Sequence, residues 1–119
     1  MSQIMNLKPQ RRKFARTRIS ALCDVFFPDQ NRIVGKGNIL NFSQGGLRVI
    51  ITSPVGRGRS VGINVDGLRQ KKWIYARVAN VRNVTEQTYS CGLQFEGLGL
   101  FKRRSVDSRL RRLARAMAA

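Results

Sequence analysis

The sequence predicts a mainly β protein, a six-stranded antiparallel barrel followed by one C-terminal α-helix. Two observations lead to this class. Apolar residues alternate with other residues in six short stretches separated by turn-forming residues, which is typical of strands with one buried face. From Phe101 onward the apolar spacing lengthens to about 3.6 residues, which indicates a helix. With 119 residues, the chain is long enough for one small domain and too short for two.

Each predicted strand is bounded by residues that favour turns. The first carries apolar residues at every second position from Ile19 to Phe27, and Pro28 begins the turn after it. Gly45-Gly46 and Ser53-Pro54 bound the third strand. Around Val81 apolar residues fall on both faces, so we expect a bulge or bend there. The predicted strands cover residues 19–27, 32–40, 47–52, 59–65, 72–84 and 89–95.

The last segment of the chain has one apolar face and one basic face. We expect the apolar stripe to pack over an open end of the barrel. Ser105 is the expected N-cap of this helix, and Asp107 in its first turn is placed to pair with Arg111. The stripe consists of Val106, Leu110, Leu113 and Met117.

These elements divide the chain into a short lead-in and one domain. Residues 1–10 show no periodicity and are expected to be a flexible lead-in. The domain then covers residues 11–119, with the barrel at about 18–97 and the basic helix at about 101–118.

The composition restricts the possible functions. The formal net charge is +17, and 17 of the 23 cationic residues are arginines, so a polyanionic partner is expected. The chain has no His, which removes the commonest general base and metal ligand, and we expect neither an enzyme nor a metal or other cofactor. Cys23 and Cys91 are far apart and are expected to be buried thiols. No secretory signal or membrane span is recognisable, so a soluble cytoplasmic protein is expected.

Two motifs flank the first predicted hairpin. Arg12 and Arg16 form an RxxxR pattern in the basic run before the first strand, with Arg11 directly ahead of it. Residues 41–46, Asn-Phe-Ser-Gln-Gly-Gly, form an NxSxxG pattern at the exit of the second strand. An Arg guanidinium can fork onto a phosphate or onto the O6 and N7 atoms of guanine. These arginines are therefore chemically compatible with a ligand that carries phosphates or guanine bases.

The NxSxxG residue types fit such a ligand. The Asn41 amide can meet the polar edge of a guanine, and the Ser43 hydroxyl can donate to a phosphate or base acceptor. Gly46 would let the backbone approach the ligand or adopt a positive φ. An ordinary turn between two strands is the simpler interpretation of the motif where no arginines accompany it.

In order and placement, the two motifs resemble the PilZ domain, the bacterial receptor for cyclic di-GMP, over roughly residues 11–97. The resemblance implies a stand-alone PilZ-type barrel that binds cyclic di-GMP. It also implies that Arg11, ahead of RxxxR, accompanies two stacked ligand molecules per chain. The family often has Asp at the position of Asn41. The implied ligand-binding residues are Arg11, Arg12, Arg16, Asn41, Ser43 and Gly46.

The resemblance further implies a switch that orders residues 11–18 and passes the signal to a separate, unidentified protein in motility, biofilm or virulence control. Two alternatives stay open. One is a general nucleic-acid-binding β-barrel, favoured by the charge. The other is a PilZ-like adaptor that acts only through protein partners. The basic side of the C-terminal helix could meet nucleic acid, an anionic membrane surface or an acidic protein.

Overall fold

The computed structural model describes residues 16–66, 73–97 and 100–118, with helix side chains described from residue 104 to residue 116. The predicted lead-in at residues 1–10 and the arginines Arg11 and Arg12 lie outside these residues, as does the side chain of Met117.

Six strands form a closed antiparallel barrel, and one helix follows, as the sequence predicted. Each strand is hydrogen-bonded to its neighbours in the order β1-β2-β3-β6-β5-β4, and β4 closes the barrel against β1. The chain runs through successive neighbours from β1 to β3 and then crosses the barrel to β4. The elements are β1 (Thr17–Phe27), β2 (Arg32–Phe42), β3 (Gly46–Ile51), β4 (Ser60–Val65), β5 (Ile74–Thr85), β6 (Thr88–Phe95) and α1 (Leu100–Ala118).

The barrel interior is filled by the apolar residues that alternate along the strands. Ile39, Phe42 and Ile63 are fully buried there. Cys23 and Cys91 are also buried and unbonded, as predicted, and burial raises the pKa of both thiols. The expected irregularity near Val81 is present, because the register between β5 and β6 shifts on either side of that residue.

Helix α1 packs on the barrel through its apolar stripe. Leu110 is fully buried in the core, and Val106 and Leu113 pack against it. The helix begins at Leu100, and Gly97, shortly before it, has a φ of 72°. The predicted N-cap at Ser105 is therefore wrong, and Asp107 does not lie in the first turn.

The expected ion pair on α1 is present. The Arg111 Nε atom donates to the Asp107 Oδ2 atom at 2.7 Å, one turn apart on the helix. Asp107 is 5% exposed, so this carboxylate faces the interior of the fold with its cation beside it.

Candidate functional site

Five residues from five strands lie side by side on the outer wall of the barrel. Neighbouring strands place Arg18 opposite Asn41, Asn41 opposite Arg48, Arg48 opposite Gly92, and Gly92 opposite Asn80. On four of these strands at least one chain neighbour is buried in the core: Ile19, Phe42, Leu47, Val49, Cys91 and Leu93. We call these residues (Arg18, Asn41, Arg48, Gly92 and Asn80) the transverse row.

The two sequence motifs meet at the transverse row. Arg16, the last residue of the RxxxR pattern, donates from Nη1 to the Oδ1 atom of Asn41 at 2.6 Å. Asn41 is the first residue of the NxSxxG pattern, 25 positions later in the chain. The β1–β2 pairing makes this contact possible, since it places Arg18 directly opposite Asn41.

The rest of the NxSxxG pattern forms a loop between β2 and β3. The Ser43 N–H donates to the Gly46 carbonyl at 2.8 Å, and the Gly45 N–H donates to Ser43 Oγ at 3.2 Å. The Phe95 N–H on β6 donates to the Gly45 carbonyl at 2.9 Å. Ser43 is 7% exposed, so it supports the loop besides being a candidate ligand contact.

Gly46 serves the packing of β3 against β6. A Cβ atom at this position would overlap the carbonyl oxygen of Leu93. Its φ is not positive, so the left-handed conformation considered from the sequence is not adopted. The glycine is required because backbone from β6 approaches it closely, a contact that local sequence does not reveal.

Arg48 is a candidate that the sequence motifs did not assign. Its Nη1 atom donates to Ser90 Oγ at 2.9 Å on β6, and its Nη2 atom donates to Asn80 Oδ1 at 2.7 Å on β5. The available signal was its position two residues after Gly46, on the outward side of β3. Its place beside Asn41 depends on strand pairing, which the motif spacing does not contain.

The carboxylates described with cationic partners lie away from the transverse row. Lys36 contacts both Asp24 and Asp66, and hydrogen bonds to the two carboxylates raise its pKa. Two hydrogen bonds, the larger effect coming from Ser60 and the second from Arg77, lower the pKa of the Glu96 carboxyl. The transverse row itself carries guanidinium and amide groups, a set suited to phosphates and nucleobase edges. The other pairs are Arg59 with Asp29 and Arg111 with Asp107.

Two features are absent from the described residues. In residues 16–66, 73–97 and 100–118, no three His, Cys, Asp or Glu side chains are grouped so that they could hold a metal ion. Within that same part of the chain, no helix combines the length and apolar character needed to cross a bilayer.

Comparison with known proteins identifies the family. A family model described as "PilZ domain" matches residues 10–112, which is most of the chain, so this protein belongs to the PilZ domain family. No curated protein matches the chain.

Solved structures show the same fold. The chain is similar to the PilZ domain with c-di-GMP of YcgR from Escherichia coli, with a TM-score of 0.67 and 18% identity, over 92% of this chain and 98% of that one. It is also similar to the inhibitor of motility MotI/DgrA from Bacillus subtilis, with a TM-score of 0.64 and 15% identity, over 87% of this chain and 52% of that one. A third similar structure is the K. pneumonia MrkH–c-di-GMP complex, with a TM-score of 0.66 and 18% identity, over 87% of this chain and 52% of that one. The chain thus spans about half the length of the last two proteins.

Proposed function

We propose that this protein is a receptor for cyclic di-GMP. The proposed ligand-binding residues are Arg11, Arg12, Arg16, Asn41, Ser43 and Gly46. The observation that carries the proposal is the hydrogen bond between Arg16 and Asn41, which joins the RxxxR and NxSxxG patterns on one face of the barrel. Membership of the PilZ family and the fold shared with the c-di-GMP complexes of YcgR and MrkH support it.

The chemistry of the contacts follows from the residue types. A guanidinium on Arg16 can fork onto a phosphate, and the Asn41 amide can accept from one N–H of a guanine edge and donate to its acceptor. Ser43 Oγ accepts from the Gly45 N–H, which leaves its own O–H hydrogen to donate to the ligand. Gly46 contributes indirectly, by keeping β3 close to β6 and the loop in place.

The protein acts as a switch without a reaction of its own. The Asn41 oxygen that would meet guanine accepts a hydrogen bond from Arg16, so ligand binding would exchange one partner of this oxygen for another. Arg16 changes its partner in this exchange, and the arginine segment at residues 11–18 would thereby relay the signal to a separate protein. The likeness to MotI/DgrA, an inhibitor of motility, supports a regulated process of that kind.

Isothermal titration calorimetry with cyclic di-GMP tests the receptor assignment, with cyclic di-AMP and GMP as controls. We expect saturable binding of cyclic di-GMP at a stoichiometry near two, because Arg11 precedes the RxxxR pattern. A stoichiometry near one would reject the stacked pair and keep the receptor. Equal binding of the three nucleotides, or none, would reject the receptor itself.

A second candidate function, nucleic-acid binding, is favoured by the outer side of α1. Arg104, Arg112 and Arg115 are exposed there, which gives the helix a cationic stripe. Titration at two salt concentrations separates the candidates. Contacts to a phosphate backbone weaken steeply with salt, whereas a site that reads guanine edges retains its preference for the cyclic dinucleotide.

A further inference from the structure

Gln94 on β6 faces outward beside the loop of the NxSxxG pattern. Its chain neighbours Leu93 and Phe95 are buried in the core, whereas Gln94 itself is exposed. The Phe95 N–H donates to the Gly45 carbonyl at 2.9 Å, which holds this part of β6 against the loop. In the register of β3 with β6, Gln94 is paired with Gly46, the last residue of the pattern. The Gln94 side chain therefore belongs to the same outer surface as the loop.

Glycines border Gln94 on two sides of the barrel surface. The position opposite it on β3 is Gly46, and the outward position two residues earlier on β6 is Gly92, so neither position carries a side chain. Among the described residues, the Gln94 side chain has no hydrogen-bond partner. A flat group can therefore approach the barrel here and meet an amide whose donor and acceptor are both available.

We propose that the Gln94 amide binds the edge of one guanine of cyclic di-GMP, as a second amide contact besides Asn41. The inference rests on the proposed function and extends it to a residue outside both motifs. Asn41 and Gln94 lie on the two strands that flank β3, and their opposing positions on β3 are two residues apart. Two strand spacings and the rise of two residues separate their backbones by about 12 Å on one outer surface. A cyclic dinucleotide carries two bases on one ring of sugars and phosphates, so one base can meet each amide.

A base edge suits Gln94 better than a phosphate does. The cation opposite Gln94 on β5 is Arg77, which already donates to the Glu96 carboxylate and to a backbone carbonyl, so its charge is balanced. Phosphates are matched better by the arginines of the RxxxR pattern. A neutral amide carries an acceptor and a donor side by side, and these can pair with the N1–H and O6 of guanine in two hydrogen bonds.

Titration calorimetry with cyclic di-GMP on the full chain tests the assignment with Gln94→Ala and Gln94→Glu. We expect Gln94→Ala to raise Kd on the order of 10-fold, the effect of losing two neutral hydrogen bonds. Gln94→Glu should bind more tightly than Gln94→Ala, because a carboxylate can accept from the N1–H and N2–H of guanine. A phosphate contact would give the reverse order, since the new charge would repel the ligand, and that order would overturn the assignment of a base edge.

Gln87→Ala and Gln87→Glu are the matched controls. Gln87 is an exposed glutamine in the turn between β5 and β6, at the opposite end of β6 from Gln94. We expect both Gln87 variants to bind cyclic di-GMP like the parent protein. Equal losses in the Gln87 and Gln94 variants would show a general effect of these substitutions and would overturn the assignment.

The urea unfolding midpoint separates a ligand contact from a structural role. Because Gln94 is exposed, its variants should unfold at the midpoint of the parent, and a midpoint that falls together with the affinity would overturn the inference. Parent-like affinity in Gln94→Ala would defeat the inference and leave the proposed function in place. No binding by the parent protein would defeat the proposed function and the inference together.

Discussion

The guanidinium of Arg16 donates to the amide oxygen of Asn41 at 2.6 Å, and this bond joins two residues 25 positions apart, one just before β1 and one near the end of β2. The bond uses the atom of Asn41 best suited to accept from guanine, so under the proposed function we expect ligand and arginine to compete for the same oxygen. Binding would then release Arg16 toward the phosphates. The affinity of the site depends on both residues.

Replacing Arg16 by Ala should weaken cyclic di-GMP binding by about 2–5 kcal/mol, the usual effect of losing a charged partner in a hydrogen-bonded contact. Arg32→Ala removes the same charge at the far end of the hairpin and should leave the affinity near that of the parent. Titration calorimetry measures both. An Arg16→Ala protein that binds like the parent would show that the two motifs do not share a site.

Replacing Asn41 by Asp should tighten binding by about 1 kcal/mol, since a carboxylate offers two oxygens to the N1–H and N2–H donors of guanine and forms stronger hydrogen bonds than an amide. The new carboxylate also competes for Arg16, which keeps the gain small. Asn38→Asp makes the same change in charge elsewhere on β2 and is the control. A gain in both variants would indicate a general charge effect, and a loss in Asn41→Asp alone would contradict the guanine contact.

Replacing Gly46 by Ala should destabilise the fold by about 1–3 kcal/mol, because the added methyl collides with the Leu93 carbonyl between β3 and β6. Gly56→Ala is a matched control, since a Cβ there meets nothing within 4 Å. Urea denaturation measures the free energy of unfolding of both. An equal free energy of unfolding for Gly46→Ala and the parent would mean that β3 and β6 can move apart at Gly46 without a loss of stability.

Local pattern predicted most of the fold and part of the site. The barrel strands follow from alternation because one face of each strand is buried, and Val25 and Val49 are examples of that inward face. The N-cap at Ser105 was wrong because helix α1 already begins at Leu100, although Ser followed by an acidic residue is a good local capping signal.

In the site, the motifs gave Asn41 and Ser43 but not Arg48. The position of Arg48 depends on contacts with Ser90 and Asn80, more than 30 residues away in the chain. The reason for Gly46 was missed on the same ground, since Leu93 lies on β6. The register between neighbouring strands determines which residues lie next to Arg48 and Gly46, and this register cannot be predicted from the spacing of residues in one sequence.

The stability of the fold should fall in alkali through Cys23. Burial in the barrel raises the pKa of its thiol from 9.0 to about 12. Below pH 9 the thiol is protonated in both states, so its contribution to stability is fully present there. As the pH rises from 9 toward 12, the unfolded chain releases this proton while the folded chain retains it, and the free energy of unfolding falls.

Urea titrations between pH 8 and pH 11 on the parent and on Cys23→Ala measure this effect. The free energy of unfolding should fall less steeply with pH in the variant, even if it is lower at pH 8 because of the lost side-chain volume. Parallel declines in the two proteins would mean that Cys23 ionises as easily in the barrel as in the unfolded chain.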